Sequence, residues 1–184
     1  LDAALDELGI EHELVAWDSG ADFDAFDLVV VRSTWDYTAR LEEFLAWAES
    51  IACIENPAAV LRFSTDKRYL AELEAAGVPV VPTAFLADAG ELIVPEAERF
   101  VVKPSVGAGS MGARRFHAHE RDAAVAHAAD LLDRGSAVLV QPYLELVDEA
   151  DETGIVVIDG EVSHAIAKGA LLGQEEATAI ELLL

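Results

Sequence analysis

A glycine-rich segment between two strand-like stretches limits the folds open to this chain more than any other feature. Gly107–Gly112 matches the pattern G-x-G-x-x-G and follows the apolar run Phe100–Lys103. A dinucleotide-binding fold needs a helix that opens at the third glycine and an acidic residue about 20 positions later. Here Arg114–His117 looks extended, and the next helical pattern starts only near Glu120. The sequence therefore predicts a β-hairpin with a glycine-rich tip.

The same loop is suited to binding phosphate. Glycines let backbone amides wrap around an anion, and Ser110 adds a hydroxyl donor. Lys103 lies just before the loop and supplies a cation. The alternative is a mobile surface loop without a ligand. The Walker pattern G-x-x-x-x-G-K-[ST] is absent, so the loop is not that of a P-loop NTPase.

Charge and composition narrow the classes of partner. The chain has 35 acidic and 12 basic residues among 184, a formal net charge of −23. This balance argues against a nucleic-acid partner, because contacts along a phosphate backbone need a basic stripe. No apolar run approaches the roughly 20 residues of a membrane span, and the single Cys53 fits a reducing compartment. We therefore expect a cytoplasmic protein without nucleic-acid or membrane partners.

Periodicity predicts an α/β layer at the start of the chain. Apolar spacing indicates a helix, a short strand, a buried parallel strand and a second helix, at Leu1–Leu8, His12–Trp17, Asp27–Val31 and Leu41–Ile51. Asn56-Pro57 marks a turn and a domain boundary. Arg32 leaves the buried strand and is a candidate for holding a substrate carboxylate through a bidentate pair, the alternative being a surface ion pair.

The remaining pattern combines helices with short antiparallel strands. A helix capped by Ser64 or Thr65 is expected to carry Lys67 in its first turn and to end near Gly77. Asp159-Gly160 predicts a two-residue hairpin turn, because these residues tolerate positive φ angles. The other expected elements are a helix at Glu120–Asp133, strands at Val78–Leu86, Phe100–Lys103 and Ala137–Val140, and hairpin strands at Ile155–Ile158 and Glu161–Ala167.

Several short motifs, in this order, resemble the ATP-binding segments of the ATP-grasp superfamily. They are Thr65-Asp66-Lys67, then Phe100–Ser105 with Gly107–Gly112, then Val140–Leu144. Three further segments resemble the glutathione-synthetase-like branch, which includes the cycloserine-forming ligase: Arg32–Tyr37, Asn56–Leu61 and Asp159–Lys168. The resemblance runs from about residue 27 to residue 172 and rests on the order and spacing of the motifs together.

This resemblance implies an α+β protein with the ATP-grasp fold. Residues 1–55 would form an α/β N-terminal domain, 56–140 an N-terminal ATP-grasp subdomain with the glycine-rich flap, and 141–184 a C-terminal subdomain. ATP would lie between the two α+β subdomains. The family continues past the hairpin into a lobe of acidic metal ligands, so the C-terminal lobe is expected to be incomplete in this sequence.

The resemblance also implies nucleotide contacts. Lys67 and Lys103 would contact the α- and β-phosphates, with Lys103 also near the adenine, and the flap would close over the β- and γ-phosphates. Gln141 would meet the adenine amino group through its side chain or carbonyl, and Glu152 would bind the ribose hydroxyls. The implied nucleotide-binding residues are Lys67, Lys103, Ser105, Gly107, Gly109, Ser110, Gly112, Gln141, Pro142, Tyr143, Leu144 and Glu152.

Three more residues carry the implied chemistry. Lys168 would place a cation at the transferred phosphate, Arg32 would hold the substrate, and Glu181 would bind Mg²⁺. Taken singly, each residue also has a plainer interpretation. Lys67 could be a solvated helix residue, and Lys168 could guard an edge strand against aggregation.

The function implied is an ADP-forming, ATP-dependent carboxylate–amine ligase. ATP with Mg²⁺ would convert a carboxylate to an acyl phosphate, and an amine would then displace the phosphate. The partners would be ATP and small-molecule carboxylate and amine substrates, with a homodimer left open. Two alternatives remain: a catalytically silent ATP-binding sensor module, and a dinucleotide-dependent oxidoreductase, which requires the glycine loop to open directly into a helix.

Overall fold

The computed structural model describes residues 1–169, which divide into two units, 1–64 and the part that begins at Thr65. The helices are α1 (Asp2–Glu7), α2 (Leu41–Ser50), α3 (Ala58–Thr65), α4 (Tyr69–Ala75), α5 (Arg121–Asp133) and α6 (Val147–Ala150). The strands are β1 (Val29–Val30), β2 (Ile54–Glu55), β3 (Ala84–Leu86), β4 (Arg99–Pro104), β5 (Arg114–His117), β6 (Val138–Pro142), β7 (Glu152–Ile158) and β8 (Glu161–Lys168). The domain boundaries after residues 55 and 140 stay a prediction.

The first unit is built around the buried face of α2. This helix starts with Glu42 and Glu43, whose negative charge is favourable at a helix N-terminus. Phe44 and Leu45 are almost fully buried in a cluster with Trp17. The rings of Trp17 and Phe44 meet edge to face with centroids 5.7 Å apart. The predicted helix over Leu41–Ile51 is thus confirmed.

Two strand predictions in this unit are wrong. His12–Trp17 forms no strand, because no neighbouring stretch among the described residues bonds to its backbone. The strand predicted over Asp27–Val31 is reduced to β1. It pairs in parallel with β2 as expected, but Val30 is 56% exposed, so it is not a buried strand.

The second unit contains a four-stranded antiparallel sheet in the order β3-β6-β4-β5. One face packs against α5 in a core that includes Phe100, Val102, Val138, Val140 and Phe116. Side chains alternate between the two faces of a strand, so Val101, Lys103 and Gln141 belong to the opposite face. The helix predicted over Glu120–Asp133 is confirmed as α5, which contributes Ala124, Ala128 and Leu131 to this core.

The glycine-rich segment joins β4 to β5, an antiparallel pair with Val102 opposite Arg114. The predicted glycine-tipped hairpin is therefore confirmed. No helix begins at Gly112, because the chain passes into β5 two residues later. This removes the arrangement that a dinucleotide-binding oxidoreductase requires.

Lys67 does not lie on a helix, contrary to expectation. The helix expected to follow a cap at Ser64 or Thr65 begins only at Tyr69, as α4, and Lys67 lies in the connection between it and α3, a helix that the sequence analysis did not predict. Asp66 forms an isolated antiparallel bridge with Val106, and the backbone N–H of Lys67 donates to the Ser105 carbonyl at 2.9 Å. Pairing with the chain beyond β4 replaces the helical hydrogen bonds at this point.

The strand predicted over Val78–Leu86 is also shorter than expected. Only Ala84–Leu86 joins the sheet, as β3 at its edge. Pro79 and Pro82 lack the backbone N–H that a ladder requires, which explains the shortening.

The predicted C-terminal hairpin is confirmed as β7 and β8. Asp159 and Gly160 have φ angles of 52° and 79°, as a type I′ turn requires. Apolar side chains of this hairpin are exposed among the described residues, since Ile155 and Val162 are 64% and 70% exposed. Within residues 1–169, none of the helices combines the length and apolar character needed to cross a bilayer.

Candidate functional site

A cavity of about 620 Å³ lies in the second unit, on the face of the sheet that does not pack against α5. Its volume falls in the range of about 300–1,000 Å³ that is typical of small-molecule sites. The residues that line it are Lys67, Val81, Val101, Lys103, Pro104, Gly107, Gly109, Ser110, Met111, Ala113, Gln141, Pro142, Tyr143, Leu144, Val147, Glu152 and Gly169. Ten of the predicted nucleotide-binding residues are thus brought together from five separate stretches of chain.

The ammonium group of Lys67 is tied to the start of the glycine-rich loop. Its Nζ donates to the Gly107 carbonyl at 2.8 Å and to the Ser105 carbonyl at 3.3 Å. Burial and the nearby positive charge of Lys103 lower the pKa of Lys67, and Asp66 partly opposes this. The side chain therefore carries a poorly solvated charge beside the loop backbone.

Lys103 points into the cavity from the end of β4. Burial lowers its pKa below the ordinary value of 10.5, and the carboxylate of Glu152 acts in the opposite direction. Among the described residues, none forms a hydrogen bond or ion pair with its ammonium group. Two partly desolvated cations thus face the same space, and their repulsion would be relieved by an anion placed between them.

The glycine-rich loop folds back on itself through short turns. Gly109 and Ser110 have φ angles of 57° and 61°, and the Met111 N–H donates to the Ala108 carbonyl at 3.1 Å. Consecutive left-handed residues are easily adopted by glycine but cost energy at a serine. The strained Ser110 lines the cavity, as strained residues at ligand sites often do.

Two of the predicted nucleotide-binding residues, Gly112 and Ser105, do not line the cavity. Gly112 does not line the cavity: its φ is +73°, and a Cβ there would lie 3.2 Å from Pro104 and 3.4 Å from Leu131. It allows the loop to pack closely on the core. Ser105 is buried, and its backbone carbonyl accepts from the backbone N–H and the Nζ of Lys67, at 2.9 and 3.3 Å. These two residues hold the walls of the cavity in place.

The end of β6 forms the other side of the cavity. Gln141 is 8% exposed, and its Nε2 donates to the Thr83 hydroxyl at 2.8 Å. The Tyr143 N–H donates to the Arg99 carbonyl at 2.9 Å, so it is not available to a ligand. By contrast, no acceptor for the Leu144 N–H lies among the described residues.

Tyr143 is fixed by charged neighbours. The guanidinium groups of Arg99 and Arg115 each lie over its ring, 4.9 Å from the ring centroid. Its hydroxyl donates to Asp148, which also pairs with Arg99 at 3.2 Å. Burial, followed by the bond to Asp148, raises the pKa of Tyr143. Sequence reasoning missed this cluster, because its members are separated in sequence and match no motif.

Glu152 begins β7, where a loop was the simpler expectation, and it lies opposite Lys168 in the β7–β8 register. The next residue, Gly169, lines the cavity, which brings the backbone of Lys168 close to it. Arg32 belongs to the first unit, where it is exposed just after β1. Glu181 lies outside the described residues. In residues 1–169, His, Cys, Asp and Glu form no group that could hold a metal ion.

Apolar residues make up the part of the cavity that the sequence did not indicate. Val81, Val101, Met111 and Val147 line it together with Leu144. The alternation of β4 was a usable signal for Val101, because it shares a face with Lys103. The others come from a turn, a loop and a short helix, and no periodicity identifies them.

Known proteins resemble this chain along most of its length. A family model described as the N-terminal domain of D-cycloserine synthetase DcsG matches residues 1–61. The cycloserine biosynthesis protein DcsG of Streptomyces lavendulae is 40% identical over 178 residues, covering 90% of this chain and 60% of that protein. A crystal structure of D-cycloserine synthetase DcsG, also 40% identical, matches with a TM-score of 0.83 over 91% of this chain and 61% of its own.

Two more distant crystal structures show the same fold. An ATP-grasp RimK domain protein from Sphaerobacter thermophilus has a TM-score of 0.51 and 22% identity, covering 62% of this chain and 46% of its own. D-alanine-D-alanine ligase from Helicobacter pylori has a TM-score of 0.51 and 18% identity, covering 84% of this chain and 51% of its own. This chain has the ATP-grasp fold and is similar in sequence to D-cycloserine synthetase.

The ATP-grasp fold confirms the expected fold class, and the similarity to DcsG confirms the expected resemblance to the cycloserine-forming ligase. The chain spans 60% of the length of the DcsG protein that it matches. The loop of the β4–β5 hairpin corresponds to the predicted flap, and it lines the same cavity as the Gln141–Leu144 segment.

Proposed function

We propose that this chain provides the ATP-binding cleft of an ADP-forming carboxylate–amine ligase. One observation carries the proposal: a single cavity is lined both by two cations with a glycine-rich loop and by apolar side chains. Lys67, Lys103 and the glycine-rich loop supply the cationic part of the lining, while Val101 and Leu144 belong to the apolar part. A nucleoside triphosphate has this same division between a charged chain and a flat, weakly polar base.

In the cationic part, the two lysines would bind the triphosphate. In water an exposed lysine gains little from pairing with an anion, but these ammonium groups are already partly desolvated. When phosphate oxygens replace the carbonyl acceptors of Lys67, the loop backbone is released from that lysine. The glycines allow the freed amides to turn towards the β- and γ-phosphates.

In the apolar part, the base would lie between Val101 and the Leu144 segment. The Leu144 carbonyl accepts a hydrogen bond from the Val147 N–H at 3.0 Å, and this closes a turn. The turn orients the Leu144 N–H. An unused backbone donor beside an apolar slot suits a ring nitrogen of adenine. Glu152, near Lys103, would accept hydrogen bonds from the ribose hydroxyls.

In the proposed reaction, a substrate carboxylate oxygen attacks the γ-phosphorus, and the bond to the β-phosphate oxygen breaks to leave ADP. The amine nitrogen then attacks the acyl carbon, phosphate departs, and the amine loses its proton. The protein would contribute mainly positioning and charge stabilisation. Lys168 would stand beside the transferred phosphate, and Arg32 would bind the carboxylate substrate. Mg²⁺ would assist through Glu181, and the partners would be small-molecule acids and amines.

The first test concerns which nucleotide binds. We expect ATP to bind, more tightly with Mg²⁺ present, and NAD not to bind, because the glycine loop lacks the following helix that a dinucleotide needs. Isothermal titration calorimetry of the intact protein with both ligands measures this directly. Binding of NAD without binding of ATP would overturn the proposal.

Turnover distinguishes a ligase from a silent ATP-binding module. The intact protein is incubated with ATP and Mg²⁺ across a panel of amino-acid pairs, and ADP release is measured. We expect release that depends on both members of one pair. Tight ATP binding with no release for any pair would instead favour the sensor interpretation.

A second prediction concerns protons. The pKa values of Lys67 and Lys103 are lowered in the free protein, and a bound polyanion raises them again. At pH values between the lowered pKa values and the ordinary pKa of 10.5, the protein should therefore take up protons when ATP binds. The affinity for ATP should fall as the pH rises through this range. The phosphate groups of ATP do not take up protons in this pH range, because the pKa of their last ionisation is about 6.

This uptake is measured by calorimetry at mildly alkaline pH in buffers with different ionisation enthalpies. A Lys103→Met variant keeps most of the apolar stem and should take up fewer protons. Proton release on ATP binding, or uptake that is unchanged in the variant, would contradict the prediction.

A further inference from the structure

A chain of two hydrogen bonds controls the orientation of the Gln141 side chain. Nε2 of Gln141 lies 2.8 Å from the Thr83 hydroxyl oxygen, and that oxygen lies 2.7 Å from the Val81 carbonyl oxygen. Thr83 directly precedes β3, the strand that pairs with β6, and Gln141 lies on β6. Both Val81 and Gln141 line the proposed nucleotide cavity, whereas Thr83 does not.

The proton positions follow from the chemistry of the three groups. A backbone carbonyl only accepts, so the single hydroxyl proton of Thr83 is donated to Val81. The Thr83 oxygen can then only accept, and the group facing it must be the NH₂ of Gln141 and not the amide oxygen. The usual ambiguity between the two ends of a glutamine amide is removed at this position.

The amide oxygen of Gln141 is consequently left to the cavity as a hydrogen-bond acceptor. Among residues 1–169, no donor is found for this oxygen, although the residue as a whole is largely buried. An acceptor held in a partly dry site is costly to leave unpaired, so it favours a ligand that brings a donor.

We propose that Thr83 is a positioning residue for base selection, acting through Gln141. This proposal rests on the proposed ATP-binding function. A purine with an exocyclic amino group at position 6 supplies the donor that the Gln141 oxygen lacks. A purine with a carbonyl at that position would place acceptor against acceptor and leave both unpaired. Thr83 thus makes the site selective for adenine over guanine nucleotides without touching the base.

The test compares ATP and GTP binding to the intact protein and four variants: Thr83→Val, Thr83→Ser, Gln141→Met, and Thr83→Val combined with Gln141→Met. Thr83→Val has nearly the same shape and lacks the hydroxyl, so Gln141 can rotate and present its NH₂ to the ligand. We expect the preference for ATP over GTP to fall about tenfold, the scale of one hydrogen bond exchanged for an unpaired buried group. Thr83→Ser keeps the hydroxyl and should retain the wild-type preference.

A double-mutant cycle separates orientation from stability. Gln141→Met removes the amide, and in that background Thr83→Val should not change the ATP-to-GTP ratio further. Thermal unfolding of each variant records any loss of stability. A loss of stability by itself would weaken the binding of ATP and of GTP equally. Wild-type protein that binds neither nucleotide would refute the proposed function. Wild-type preference for ATP with an unchanged ratio in Thr83→Val would refute the role of Thr83 alone.

Discussion

Replacement of Lys103 by alanine is expected to weaken ATP binding by about 1.5–3 kcal/mol, the range for a hydrogen bond to a charged group. The ammonium group faces the cavity in a partly dry environment, and no described residue pairs with it by hydrogen bond or salt bridge. Its loss removes a cation that the proposed triphosphate would otherwise contact. Calorimetric titration of the variant with ATP measures the effect.

The fold should survive this change, because Val102 and Phe100 fill the core from the opposite face of β4. Arg134→Ala is a matched control: it also removes one positive charge, but from the exposed end of α5, where Arg134 pairs with Asp130 at 2.8 Å. The control should bind ATP as the wild type does. An ATP affinity in Lys103→Ala equal to that of the control would show that Lys103 does not bind phosphate.

Replacement of Phe100 by alanine should lower the free energy of unfolding by about 3–5 kcal/mol, the usual cost of removing a large aromatic side chain from a packed core. Phe100 is completely buried, and its ring lies 5.7 Å from that of Phe116. The cavity left behind would separate the central strand β4 from α5. Chemical denaturation followed by circular dichroism measures the change.

The neighbouring residue Val101 provides the comparison. It is on the same strand but faces the proposed nucleotide cavity, and Val101→Ala removes only two methylene-sized groups, or about 1.6 kcal/mol of burial. This variant should lose less stability than Phe100→Ala and should bind ATP more weakly. A loss below about 1 kcal/mol in Phe100→Ala would contradict the assignment of this face as the core.

Local pattern was sufficient to predict much of the second unit. The run Phe100–Lys103, the helix Glu120–Asp133 and the Asp159-Gly160 turn all appear as β4, α5 and the β7–β8 turn. In each, side-chain period, caps or turn residues agree with the tertiary environment, so the local preference and the global fold favour the same conformation. The glycine-tipped hairpin, which removed the dinucleotide-binding alternative, was predicted on the same basis.

The sequence predicted which residues lie at the candidate site, but it did not predict the role of each residue. Motif order named the two lysines, the loop and the Gln141–Leu144 segment, and these do line one cavity. Their individual functions remain predictions. The motif could not indicate that the Ser105 carbonyl accepts from Lys67, or that the Tyr143 N–H donates to the Arg99 carbonyl.

Only the tertiary structure decided where backbone and side-chain partners come from distant parts of the chain. Lys67 was expected in the first turn of a helix, yet its N–H donates to the carbonyl of Ser105, 38 residues away, and the helix begins only at Tyr69. Val30 belongs to an apolar run, yet it stays exposed because burial depends on what packs above it. The sequence by itself determined the local periods, the turns and the set of chemical groups. Long-range pairing determined their exposure, their protonation and the direction in which Gln141 faces, because those properties depend on neighbours that no local window contains.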